Sequence, residues 1–192
     1  SHRIVKIDSK GQMTVLAGGG YDMRDGELIG AFADGRGEQA KFNEPQGLAI
    51  DDEGNLYVAD TGNQRIRKVT PDGVVTTLAG SGAEFIENTS YIQGGYADGE
   101  AKSARFNFPV GLAVAKDKTV YVADSLNHCI RVITPDGKVS TLAGAVVAGK
   151  RDGAALLAQF NTPSDVFFGE DGSLFIVDQG NALLRQYIPA SK

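Results

Sequence analysis

The chain has 192 residues, of which 42% are hydrophobic and 22% are charged, and its formal net charge at pH 7 is −5. This composition is typical of a folded globular protein, and the acidity argues against a nucleic-acid-binding surface, which requires clustered Lys and Arg. The single cysteine, Cys129, excludes an internal disulfide and a metal cluster built from several cysteines of one chain. No apolar run reaches the 18 residues that would indicate a membrane-spanning helix.

Two short strands come first in the chain. Residues 1–7 match the third strand, c, of a unit that recurs further along, and residues 13–18 match the fourth strand, d, of that unit. We therefore expect residues 1–18 to form half of one unit. The long loop that follows carries Tyr21 and Arg24, which are residue types enriched where proteins contact partners.

The first complete unit is predicted over residues 42–80. It contains short runs of β-branched and aromatic residues bounded by Gly, Pro, Asp and Asn, which is a pattern typical of strands. Strand a includes residues 48–50, strand b ends at Asp60, and a Thr-Pro-Asp-Gly turn at residues 70–73 joins strands c and d. Because every connection inside the unit is short, we expect neighbouring strands to pair antiparallel.

The same unit recurs twice more along the chain. One copy is predicted over residues 106–144, and another over residues 160–189, where the sequence stops before the fourth strand. Self-similarity at this spacing indicates a repeat architecture. Since one four-stranded sheet cannot bury both of its faces, we expect the sheets to stack radially as the blades of an all-β propeller.

The chain as a whole is predicted to hold thirteen strands, divided into groups of two, four, four and three. A closed ring of six four-stranded blades needs about 24 strands, so this chain would supply about half of a six-bladed propeller. Three arrangements remain open. The remainder of a longer chain completes the ring, a second copy completes it, or the sheets form an open curved stack.

Three short motifs carry a resemblance to a known family. Pro-x-Gly-Leu-Ala opens strand a at residues 45–49 and again at 109–113, Tyr-Val-Ala-Asp ends strand b, and Asn-His-x-Ile begins strand c at residues 127–130. In these motifs the chain resembles the NHL-repeat family of β-propellers over essentially its whole length. The last copy departs from the third motif, with Asn-Ala-Leu-Leu at residues 181–184.

The resemblance implies the fold and leaves the function open. Members of the family include protein- and RNA-interaction platforms, a peptide-amidating lyase, an antibiotic lyase, and bacterial proteins that are secreted or lie in the cell envelope. An extracellular or envelope location is therefore the expectation, although no signal in this sequence indicates it. The lyases resemble one another in using several histidines around a metal, whereas this chain has only His2 and His128, which we expect at turns or blade contacts.

The connections between strands divide between two rims of the propeller. The a–b and c–d turns are tight and share one rim, whereas the d–a connections are long and share the other rim with the b–c turns. Long loops on a rigid scaffold usually carry function, so we expect the site on the d–a rim, in residues 18–41, 80–105 and 144–159. The candidate ligand-binding residues in these loops are Tyr21, Arg24, Phe85, Tyr91 and Tyr96.

Three aspartates recur within these loops, Asp34, Asp98 and Asp152. In each copy an Ala lies six residues after the Asp and a Phe lies eight residues after it. One interpretation is structural, in which a short helical turn places the Ala and the Phe in the gap between two blades. The other is functional, in which the three carboxylates form a ring at the mouth of the central channel and bind a divalent cation.

The aspartate that ends strand b raises a similar choice. Asp60 is followed by Asn63, and both side chains offer oxygens that hard cations bind. The spacing Asp-x-x-Asn also closes a tight turn, and Arg67 follows seven residues after Asp60, a spacing that recurs in every copy. We therefore expect this group of residues to hold the blades together and assign no metal ligand to it.

No catalytic residue is assigned, because the sequence lacks Gly-x-Ser-x-Gly, His-Glu-x-x-His and P-loop motifs. The predicted function is a non-catalytic scaffold that presents its long loops to a protein, a peptide or a carbohydrate. The alternative is a lyase- or hydrolase-type enzyme with an acidic channel mouth, and only this alternative calls for a cofactor, a divalent cation. Nucleic acid and membrane are not expected partners.

Overall fold

The computed structural model describes residues 2–24 and 26–189, and for Arg24 it describes the backbone alone. Within these residues the chain forms seventeen strands and five short 3-10 helices, with no helix long and apolar enough to span a bilayer. The strands are β1 (Ile4–Ile7), β2 (Met13–Ala17), β3 (Asp22–Arg24), β4 (Glu27–Ile29), β5 (Gly35–Arg36), β6 (Pro45–Ile50), β7 (Leu56–Asp60), β8 (Arg65–Val69), β9 (Val74–Ala79), β10 (Gly99–Glu100), β11 (Pro109–Val114), β12 (Val120–Asp124), β13 (Cys129–Ile133), β14 (Lys138–Ala143), β15 (Pro163–Phe168), β16 (Leu174–Asp178) and β17 (Leu183–Tyr187). The 3-10 helices are Gly37–Gln39, Thr61–Asn63, Ser125–Asn127, Ala155–Leu157 and Gln179–Asn181.

Four antiparallel sheets follow one another along the chain as predicted, so the all-β blade architecture of a partial propeller is confirmed. The first sheet is the pair β1–β2, the two middle sheets contain the meanders β6–β9 and β11–β14, and the last sheet is β15–β16–β17. Inside each sheet, successive strands are joined by the short turns that the sequence indicates. Completion of a ring, by the remainder of a longer chain or by a second copy, stays a prediction.

Two features of the strands were not predicted. A two-residue strand from the preceding loop, β5 in one blade and β10 in the next, pairs with strand d and becomes a fifth, outermost strand of each middle sheet. The first long loop also folds into a separate hairpin, β3–β4. This hairpin stands on the d–a rim and lengthens the surface that the loops present there.

Successive sheets pack face to face, which explains why the second strand of each middle blade is buried almost throughout. Phe42, Phe106 and Phe160 each lie between two sheets and are at most 2% exposed. Phe106, for example, joins a cluster that contains Ala59 from the preceding sheet and Val122 from its own sheet. The apolar side chains of these clusters supply the burial that a single meander cannot achieve alone.

The first strands of neighbouring blades approach one another closely at glycines. A Cβ atom added to Gly47 would overlap the carbonyl oxygen of Val110, and one added to Gly111 would overlap the backbone and side chain of Asp165. The contact places strands β6, β11 and β15 side by side on the inner half of the sheets. The glycine of the Pro-x-Gly-Leu-Ala motif is therefore required by the spacing between blades.

Candidate functional site

Each of the three blades in which the structure has strands a, b and c contains an arginine that binds two aspartates, an arrangement we call the Arg–Asp clamp. In the first complete blade, Arg67 Nη1 lies 2.6 Å from Asp60 Oδ2, and Arg67 Nη2 lies 2.6 Å from Asp34 Oδ1. The side chains of Arg67 and Asp60 are fully buried. Arg67 also donates hydrogen bonds to the carbonyl oxygens of Lys41 and Ala33, so the clamp fastens the d–a loop to strand c.

The clamp recurs with the same geometry in the next two blades. Arg131 binds Asp124 at 2.9 Å and Asp98 at 2.5 Å. In the last blade, the clamp joins Arg185 to Asp178 at 3.2 Å and to Asp152 at 2.6 Å. A feature that every such blade contains serves the blades themselves rather than a single binding site.

The buried aspartate of the clamp has no free oxygen. In the middle copy, Asp124 accepts hydrogen bonds from the backbone N–H of Asn107 at 2.7 Å and from Asn127 Nδ2 at 2.8 Å, in addition to its bond from Arg131. Burial raises the pKa of Asp124 to about 6, while the charge of Arg131 and the hydrogen bonds act in the opposite direction. These contacts correspond to the structural interpretation of Asp-x-x-Asn.

The structure does not bring Asp34, Asp98 and Asp152 together at a channel mouth. Asp34 accepts hydrogen bonds from the N–H and the hydroxyl of Thr77 in strand d, and Asp98 is bound in the same way by Thr141. Strand d lies on the outer half of the sheet, whereas the first strands converge on the inner half. Among the residues that the structure describes, no three His, Cys, Asp or Glu side chains are grouped closely enough to hold a metal ion.

The b–c turns carry a second set of contacts, which join one blade to the next. The residue after the 3-10 helix of each b–c turn adopts a left-handed conformation. In the two middle blades this residue is Gln64 or His128, and its side chain accepts a hydrogen bond from a backbone N–H of the following blade. The acceptor is Gln64 Oε1 for Phe108 at 2.6 Å and His128 Nδ1 for Thr162 at 3.1 Å. His2 Nδ1 accepts the N–H of Glu44 at 2.8 Å in the same manner. Both histidines therefore lie at blade contacts, as expected from the sequence.

We expect the His2 contact to weaken in acid, because a protonated imidazole has no acceptor nitrogen. Burial lowers the pKa of His2 below its ordinary value of 6.5, with the nearby Glu44 opposing this shift. A depressed histidine pKa gives stability that is complete above pH 6.5 and is lost as the pH falls through the folded-state pKa. His2→Gln copies the amide of Gln64 and should remove about 0.5 kcal/mol of this pH dependence, a small value because His2 is partly exposed to solvent.

Urea denaturation of both proteins at about pH 7.5 and about pH 5 measures this difference. His128 is present in both proteins, so its contribution cancels in the comparison. Equal losses of stability between the two pH values in wild type and His2→Gln would contradict the role of His2 as an acceptor.

The hydroxyl groups of Tyr91 and Tyr96, two of the candidate ligand-binding residues, are hydrogen-bonded within the protein. The hydroxyl of Tyr91 donates to Glu44 Oε2 at 2.7 Å, a bond that raises the pKa of Tyr91 to about 12. Tyr96 forms a hydrogen bond of 2.7 Å with Thr141 Oγ1, and its ring covers the guanidinium of Arg131 at 4.8 Å. Both tyrosines therefore support the folding of their loop.

The other three candidates lie toward solvent or outside the described part of the structure. Tyr21 is 45% exposed and contacts the His2 ring edge-on, and Phe85 is 47% exposed. The backbone of Arg24 ends β3, but its side chain lies outside the described residues. The assignment of ligand contacts to these residues stays a prediction.

A groove on the d–a rim separates the β3–β4 hairpin from residues 82–92 of the next long loop, and we call it the rim groove. It consists of two adjoining depressions of about 530 and 560 Å³, both lined by Ile29 and Phe85. Leu28 and Ile86 line the second of these depressions, and Met23 and Phe32 line the first. Sequence reasoning missed Leu28, Ile29 and Ile86, although the Asp-Gly pair at residues 25–26 is a typical hairpin signal.

Both banks of the groove are fixed to the b–c turn beneath them. Asn63 Nδ2 donates to the carbonyl oxygen of Ala31, which follows the hairpin in the chain, at 2.8 Å. On the other bank, Ile92 donates its N–H to Gly62 at 2.9 Å, and Gln64 Nε2 donates to the carbonyl oxygen of Ile92 at 2.9 Å. The groove is thus part of the folded framework of the blades.

Comparison with known proteins identifies the repeat. The NHL repeat model matches residues 42–69 and 106–133. The chain belongs to the NHL-repeat family. Curated relatives include the chloroplastic protein SUPPRESSOR OF QUENCHING 1 of Arabidopsis thaliana, 33% identical over 181 residues, and NHL repeat-containing protein 2 of Gallus gallus, 32% identical over 155 residues. These alignments cover 93% and 77% of this chain but only 16% and 21% of the two relatives.

Solved structures support the same fold. A protein of unknown function from Bacteroides thetaiotaomicron aligns with a TM-score of 0.71 and 25% identity, covering 97% of this chain and 42% of that one. An auxiliary nutrient binding protein from the same organism aligns with a TM-score of 0.70 and 21% identity, over 96% of this chain and 42% of its own. At this identity the second likeness shows the fold alone.

Proposed function

We propose that this NHL-repeat chain is a non-catalytic binding module that contacts a protein or peptide through its d–a rim. The observation that carries the proposal is the rim groove, where large apolar side chains of two long loops face solvent on a fixed framework. Met23 is 65% exposed and Leu28 is 64% exposed. Contiguous exposed apolar surface of this kind marks interaction sites in folded proteins.

The polar residues that recur in the repeats support the same proposal, because they are engaged in structural contacts. The aspartates that a catalytic or metal-binding channel would need are bound by arginines in the clamps. A peptide suits the groove because aliphatic and aromatic side chains stand there beside polar ones, and a peptide offers both apolar side chains and hydrogen-bonding groups. The lyase or hydrolase alternative stays a prediction with no specific observation in its favour.

A matched pair of double variants tests the proposal. Met23→Ser with Leu28→Ser removes two apolar side chains from the rim groove, and Ile7→Ser with Met13→Ser removes two of nearly equal exposure beside the c–d turn of the opposite rim. A display library of random peptides is selected against wild type, and the selected peptides are then measured against both variants. We expect the rim-groove variant to lose at least about tenfold in affinity and the control to retain it.

Two results would contradict the proposal. One is the failure of any peptide to be enriched, and the other is an equal effect of both double variants on the enriched peptides. Thermal unfolding of each variant shows whether the fold is retained.

A further inference from the structure

We infer, resting on the proposed function, that the rim groove selects a peptide segment in which apolar side chains are flanked by Lys or Arg. The inference combines an apolar floor with banks that carry an excess of carboxylates. It names the chemistry of the partner, which the fold and the family leave open.

The apolar part of the inference comes from the continuity of the two depressions. Ile29 and Phe85 line both of them, so apolar side chains continue from one depression into the other, where they stand beside polar side chains such as Glu27 and Glu87. The backbones of Phe85 and Ile92 are bridged, which holds Phe85 at the base of a small hairpin that turns at residues 86–91. An apolar side chain of a partner can therefore be buried against a prearranged surface, which lowers the ordering cost of binding.

The charge part of the inference comes from the two banks. On the first bank the structure describes the carboxylates of Asp22 and Glu27, and on the second bank residues 82–93 hold Glu84 and Glu87 and no basic residue. Lys41 neutralises Asp22 at 2.9 Å. Among the residues that the structure describes, Glu27 and Glu87 have no ion-pair partner, and both line the groove.

Among the described residues that line the groove, one is basic, Arg65, and its charge is already engaged. The guanidinium of Arg65 donates to the carbonyl oxygens of Asn63 at 2.6 Å and Gly82 at 2.5 Å. The ring of Phe32 covers it at 4.2 Å, and Arg65 is 8% exposed. Arg65 is therefore poorly placed to attract an acidic partner, whereas the exposed carboxylates of both banks favour a basic one.

Three labelled peptides test the inference by fluorescence anisotropy. The first has a Leu-Phe-Leu centre flanked by two lysines on each side, the second replaces the lysines with glutamates, and the third replaces the centre with serines. We expect the first peptide to bind wild type most tightly. Glu27→Gln with Glu87→Gln should weaken it about three- to tenfold near 50 mM salt and much less near 500 mM salt.

Matched variants separate this inference from the proposed function. Glu100→Gln with Glu170→Gln removes two exposed carboxylates elsewhere and should leave the affinity of the first peptide unchanged. Met23→Ser with Leu28→Ser should weaken that peptide at both salt concentrations, because apolar burial does not depend on screening.

The inference is overturned if the glutamate-flanked or serine-centred peptide binds as tightly as the first, or if the first does not bind. It is also overturned if the two carboxylate variants behave alike. The proposed function survives these results as long as library peptides still depend on Met23 and Leu28. It fails separately if no peptide distinguishes the rim-groove variant from the Ile7 and Met13 control.

Discussion

Replacing Arg131 with Met lowers the free energy of unfolding by about 3–5 kcal/mol, because the substitution leaves the carboxylate of Asp124 buried without its cation. Neither side chain of this pair is exposed, and their charged groups lie 2.9 Å apart. Asp124 keeps its bonds from Asn107 and Asn127, but those amides do not replace the positive charge. Urea denaturation at pH 7 followed by circular dichroism measures the loss.

The matched control is Arg36→Met, which breaks an ion pair with Asp72 on the surface. Both partners of that pair are more than half exposed, so water compensates for the lost contact and we expect almost no change in stability. A loss in Arg131→Met no larger than that in Arg36→Met would contradict the structural role of the clamp. The double variant Arg131→Met with Asp124→Asn should recover part of the loss, since it removes the unpaired charge.

Replacing Phe106 with Ala lowers the free energy of unfolding by about 3–5 kcal/mol, through lost apolar burial and the cavity that remains between the second and third sheets. Phe106 is fully buried in a cluster that contains residues of both sheets, among them Ile66 and Ile133. The cavity cannot close easily, because the neighbouring first strands already touch at Gly47 and Gly111. The same denaturation experiment measures this loss.

Phe167→Ala is the control for this prediction. Phe167 lies in β15, is 42% exposed and stacks on Phe175 at the surface of the last sheet. Truncating it therefore removes much less buried apolar area than truncating Phe106. Similar losses in the two variants would show that Phe106 does not carry the packing between sheets. Because the guanidinium of Arg131 lies 5.1 Å from the Phe106 ring, the effects of Phe106→Ala and Arg131→Met should not add.

The blades were predictable from the sequence because each strand has its own local signal. The runs that end at Asp60 and Asp124 are β-branched and aromatic, and turns of fixed composition bound them. Strands β5 and β10 have no such signal, since two residues are too few to show alternation and their pairing depends on the outer edge of a sheet built from later residues. The hairpin β3–β4 was within reach of turn analysis and was overlooked.

The site was less predictable, since its members are held by contacts between distant residues. Tyr91 and Tyr96 look like exposed loop aromatics in the sequence, but their hydroxyls bond to residues 47 and 45 positions away. In the same way, equal spacing marked Asp34 as part of a pattern without revealing its partner Arg67, which lies 33 residues later. Local sequence indicates which residues recur, while tertiary contacts determine which of them are available to a ligand.

The spacing inside the clamp bears on how such a chain can change by duplication and insertion. Aspartate and arginine are 33 residues apart in all three copies, yet Asp98 follows Asp34 by 64 residues and Asp152 follows Asp98 by 54. The entire difference falls in the d–a loops between one clamp and the next, after Gly80 and after Gly144, and these loops belong to the rim. Genetic insertions there can diversify recognition while the inherited framework of each module remains intact.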